Sequence, residues 1–72
     1  MHRGSGWKIA VYGNEHGIPH YHLEGPDFRC SIAIGTNELI IGTAPPGALR
    51  SARIWASKNQ TALLAKWREL NP

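Results

Sequence analysis

The stretch NEHGIPHYH, residues 14–22, gathers most of the side chains in this chain that could do chemistry. It holds His16, His20 and His22, three of the four histidines, with Glu15 alongside and Pro19 between them. Histidine titrates near neutrality, so two imidazoles on one surface can serve as base and acid. With a cation nearby to hold a phosphate, such a pair could cleave RNA without a metal. On that reading His20 or His22 carries the proton, Glu15 orients His16, and Lys8, Tyr12 and Arg29 supply contacts to phosphate. A second chemistry is metal binding: His16, His20 and His22 could form a three-histidine site open at its fourth position, with Glu15 as an outer or base group. The spacing H-x3-H-x-H is far less specific than paired Cys-x2-Cys motifs, and no metal or cofactor is assigned from it. The bland alternative is a solvated polar strand face on which Pro19 merely shapes a turn.

The elements that must position these residues follow from periodicity. Residues 7–12, WKIAVY, alternate: Trp7, Ile9 and Val11 point one way, Lys8, Ala10 and Tyr12 the other, as in a half-buried strand. HYHLE, residues 20–24, alternates again, with His20, His22 and Glu24 on one face and Tyr21 and Leu23 on the other. FRCSIAI, residues 28–34, turns Phe28, Cys30, Ile32 and Ile34 inward and Arg29, Ser31 and Ala33 outward. ELIIG, residues 38–42, reads as a further strand. Short turns at Gly25-Pro26-Asp27 and Gly35-Thr36-Asn37 imply antiparallel pairing.

After the Pro45-Pro46 break, Leu49, Ala52, Ala56, Asn59, Leu63, Trp67 and Leu70 recur every three or four residues. That is one narrow helical stripe, and its unbroken phase predicts a single helix over about 46–70, with Asn59 as the place where a kink or a break into two helices would fall. The expected architecture is α+β: a small antiparallel sheet of three to four strands packed on one face by a long C-terminal helix. Its core should hold Trp7, Ile9, Val11, Phe28, Ile32, Ile34, Leu49, Leu63 and Trp67. One helix cannot cover both faces, so Lys8, Tyr12, His20, His22, Arg29 and Ser31 are expected on an open one. Ile54 falls away from the stripe among Arg50, Arg53 and Lys58, a surface suited to a protein partner.

With 72 residues the chain makes one domain, taken as residues 7–72 behind a flexible arm at 1–6. Hydrophobic residues at 42% and charged residues at 18% fit a folded globule rather than a disordered tail. Cys30 is the only cysteine, which excludes an intramolecular disulfide and a cysteine-rich zinc site and suits a reducing cytoplasm. MHRGSG has no apolar run of a secretory leader, and no stretch is long enough to span a membrane. The net charge of +3 favours acidic partners such as nucleic acid or an acidic protein.

From Trp7 to Leu70 the chain resembles a bacterial family labelled domain of unknown function 4160. Members of that family carry (D/E)-H-x-P-P-H-x-H, then a strand, a turn, G-x-x-P and A-L-R…W…L…W. Glu15, His16, Pro19, His20 and His22 match the first block; Leu49, Arg50, Trp55, Leu63 and Trp67 match the last. Ile18 replaces the first proline of the pair, and Tyr21 stands where phenylalanine is common. The resemblance implies a DhiT-like toxin of a type II toxin–antitoxin module, a cytoplasmic growth inhibitor neutralised by direct binding of a DhiA-like antitoxin. The resemblance implies no mechanism; the histidines and basic residues of the open sheet face point to RNA or the translation machinery as the target, with a non-enzymatic binding module and, less favoured, a histidine-ligated metal hydrolase as alternatives.

Overall fold

A computed structural model describes all 72 residues, and the fold is α+β. Five strands, β1 (His2–Gly4), β2 (Trp7–Ala10), β3 (His20–Glu24), β4 (Arg29–Ala33) and β5 (Leu39–Thr43), form one antiparallel sheet in the order β1-β2-β3-β4-β5. Two helices follow, α1 (Pro46–Lys58) and α2 (Gln60–Leu70). The strand alternation seen in the sequence sets the faces. Ile9 pairs with Leu23 and Leu23 with Cys30, so these three side chains form one row on the helix-covered face. Tyr21 and Ile32 make the next row. Ala52 and Ala56 of α1 and Leu63 and Trp67 of α2 close over them, and all are buried.

Three expectations change. The sheet has five strands, because residues 2–4, expected in a flexible arm, pair with β2 through the two-residue turn Ser5-Gly6. Gly6 takes a φ of +77° there, which costs glycine nothing. The strand is held by groups with no alternation to announce them: the Met1 amino group donates to the Ile9 carbonyl at 2.6 Å, and the His2 ring stacks on Trp55 at 4.6 Å. The helix is two helices. Asn59 leaves helical geometry at φ −126° and ψ 24°, and its side-chain amide donates to the Trp55 carbonyl at 2.8 Å, replacing the backbone bond that would have continued α1. The stripe's phase survives this break, which is why periodicity alone did not show it. Trp7, Val11, Phe28 and Leu49 lie at the margin of the core, whose centre includes Tyr21, Leu23 and Cys30 instead.

Candidate functional site

On the face turned away from the helices the register lays side chains out in rows. Lys8, Glu24 and Arg29 make one row, and Ala10, His22, Ser31 and Ile41 the next. His20 and Ala33 make a third. This face is not open at its centre: His22 is 7% exposed and Ser31 8%. The cover is the β2–β3 connection, residues 11–19, which brings Tyr12 against the His22 ring at 5.1 Å and Glu15 over both histidines. Asn71, just beyond α2, pins that connection. Its Oδ1 accepts from the Glu15 backbone N–H at 2.9 Å, while its amide donates to the carbonyls of Tyr12 at 3.0 Å and Trp67 at 3.1 Å. Trp67 also reaches the His20 ring, at 4.8 Å between centroids.

The result is a convergence. Glu15 Oε1 is hydrogen-bonded to His22 Nε2 and lies 3.4 Å from His20 Nε2. The hydrogen bond from His22 holds the Glu15 carboxyl below the ordinary carboxylate range against the opposing effect of desolvation. The far nitrogens are held as well. His20 Nδ1 lies 2.8 Å from the Ile18 carbonyl, which can only accept, so Nδ1 carries a proton and donates it. His22 Nδ1 lies 3.2 Å from Ser31 Oγ, a hydroxyl able to donate or accept. Ser31, His22 and Glu15 thus form a chain, but Ser31 stands buried in the middle of a strand paired on both edges. Its hydroxyl anchors the ring.

His16, expected in the same cluster, is exposed on the connection and has no part in the convergence. Glu15, expected to orient His16, meets His20 and His22 instead. Lys8, Tyr12 and Arg29, expected as phosphate contacts, share one partner, Glu24. Tyr12 donates its hydroxyl at 2.7 Å, Arg29 Nε lies at 2.9 Å and Lys8 Nζ at 3.8 Å. The Lys8 and Arg29 side chains are still 48% and 60% exposed, so each keeps donors facing solvent. On α1, Arg50, Ile54 and Lys58 are exposed as expected, with Ile54 at 51%. Arg53 is different. Its Nε donates to the Asn37 carbonyl at 3.1 Å and its own carbonyl accepts from the Asn37 amide at 2.9 Å, so it ties α1 to the β4–β5 turn. Sequence reasoning missed Asn71 and the role of Trp67 altogether. Ser31 and Glu24 were legible by strand phase as sharing the face of His22, and the register sets Ser31 directly opposite it.

The family model described as domain of unknown function (DUF4160) matches residues 6–68. The chain belongs to that family. No curated protein and no solved structure matches it. The family's histidine–proline block therefore takes a definite shape here: its acidic residue and its last two histidines converge, and its first histidine, His16, stays exposed outside that group.

Proposed function

We propose that this chain is the growth-inhibiting half of a two-protein module and acts on RNA or the translation machinery through Glu15, His20 and His22. The observation that carries the reading is the convergence of two imidazoles and one carboxylate under a loop pinned at Asn71. Such a group can accept and return a proton. Of the three, Glu15 also lines a cleft between the β2–β3 connection and Trp67, Leu70 and Asn71. The net charge of +3 and the exposed Lys8 and Arg29 favour an anionic target. The toxin assignment itself rests on the resemblance of NEHGIPHYH and the helical block to DhiT-like proteins. A DhiA-like antitoxin would dock on the α1 face carrying Arg50, Ile54 and Lys58. The reading places the protein in the cytoplasm; no helix is long and apolar enough to cross a membrane.

Expression of the chain alone should arrest growth, and co-expression of the neighbouring gene's product should relieve it. Normal growth at high soluble yield contradicts the reading. A second reading, a binding module without catalysis, is favoured by β5, whose Leu39, Ile40 and Ile41 are exposed along the sheet edge. Labelled RNA separates the two. Cleavage lost in His20→Ala supports the first, and a salt-sensitive shift without cleavage supports the second.

A further inference from the structure

We infer that Glu15, His20 and His22 form a binding site for a divalent transition metal ion of the kind imidazole favours, with zinc the natural probe. The inference deepens the reading above by naming what occupies the centre, but it stands on geometry that holds whether or not the chain is a toxin.

The ligand atoms of the three side chains all lie within 4.8 Å of one another. Tetrahedral zinc with bonds of about 2.0–2.1 Å sets its ligand atoms roughly 3.3 Å apart. The 3.4 Å between His20 Nε2 and Glu15 Oε1 already matches that spacing, whereas His22 Nε2, now in direct contact with Glu15 Oε1, has to draw back to admit the ion. Two imidazoles and one carboxylate are an established donor set for zinc, and the same set suits other first-row ions.

The outer bonds add the second argument. A metal-bound histidine donates its other ring N–H to a carbonyl, carboxylate or water, which sets the tautomer and aims the lone pair. His20 has this arrangement: its Nδ1–H donates to the Ile18 carbonyl, which leaves Nε2 as the nitrogen turned towards Glu15. A proton or a metal ion between Nε2 and the carboxylate satisfies both atoms, and the metal ion can take His22 as well. His22 can follow. Without metal, its Nε2–H donates to Glu15 and its Nδ1 accepts from the Ser31 hydroxyl. With metal, Nδ1–H donates to Ser31 Oγ and Nε2 turns its lone pair to the ion. A hydroxyl at Ser31 serves both states, whereas a carbonyl or an amine there would serve one. Access is available through Glu15, whose side chain is 27% exposed. Three protein ligands would leave a fourth position for water, which the ion would make more acidic.

The site differs from the three-histidine arrangement that spacing alone suggests, because Glu15 takes the place of His16. That difference supplies the control. Protein purified without a histidine tag and stripped with chelator is dialysed against zinc, then analysed for metal content and melting temperature. One zinc per chain is expected, with a rise in melting temperature that chelator reverses. Glu15→Gln and His22→Gln should each weaken zinc binding at least about tenfold, since even outer-sphere changes cost that much, while His16→Ala leaves it unchanged. Should a variant fail to fold, nitrogen-15 NMR of the wild type answers the same question. Zinc should move the Nε2 resonances of His20 and His22 and leave those of His16 in place. Substoichiometric zinc, or binding lost in His16→Ala and kept in His22→Gln, overturns the site. Growth arrest by a chain that binds no zinc overturns this inference and leaves the toxin reading standing. Stoichiometric zinc in a chain that never arrests growth does the reverse.

Discussion

His22 is held at both ring nitrogens, by Glu15 on one side and Ser31 on the other, and it is almost wholly buried. An imidazole so placed has one orientation, which is what a proton carrier or a metal ligand requires and a solvated strand face does not. Ser31→Ala removes one of the two anchors. It should lower stability by about 1 kcal/mol, the net worth of one such hydrogen bond, read as a lower melting temperature with an unchanged circular dichroism spectrum. Tyr21 sits on the opposite face. Its hydroxyl donates to Asn37 Oδ1 at 2.7 Å, and burial pushes its phenol well above the ordinary value of 10.0. The unfolded chain ionises Tyr21 near 10.0 while the folded chain keeps it neutral, so its contribution is intact below pH 10 and is lost as pH rises above it. Denaturant midpoints should therefore fall above pH 10, and the loss should be smaller in Tyr21→Phe.

At the scale of elements, strand phase was legible because alternation is a local property. It put His20 and His22 on one face and Tyr21 and Leu23 on the other before any pairing was known. What covers a face is not local. The connection at 11–19 closes over the histidines because Asn71, 56 residues beyond Glu15, binds its backbone; nothing in the sequence between them signals that bond. Asn71→Ala should loosen the connection, speeding amide exchange at Glu15 and Tyr12 and weakening whatever the three converging side chains hold. β5 depends on close approach as well. Gly42 adopts a φ of +86°, and a Cβ there would stand 2.3 Å from the Arg29 carbonyl oxygen and 2.9 Å from Cys30 Cα. Gly42→Ala should destabilise the fold by at least about 1 kcal/mol, from backbone strain and contact together, with exchange rising first in β5. The Asn59 break belongs here too, since an amide that replaces one backbone bond divides a helix without disturbing its stripe.

The whole molecule is a five-stranded sheet with two helices on one face and a single loop over the centre of the other. A domain of this size has little stability to lose, on the order of 5 kcal/mol. Leu63 is 1% exposed in the helix–sheet core, and Leu63→Ala should cost about 2–5 kcal/mol, enough to leave a large fraction of the chain unfolded at growth temperature. Such a variant would lose function through folding alone, so the central claim is best tested away from the core. The direct measurement compares growth on inducing wild type, His22→Ala and His16→Ala, with soluble yield and melting temperature checked for each. The account predicts arrest by wild type and by His16→Ala, and growth with His22→Ala despite a folded protein. Arrest by a folded His22→Ala chain equal to that of wild type would contradict it and move the toxic surface away from Glu15, His20 and His22.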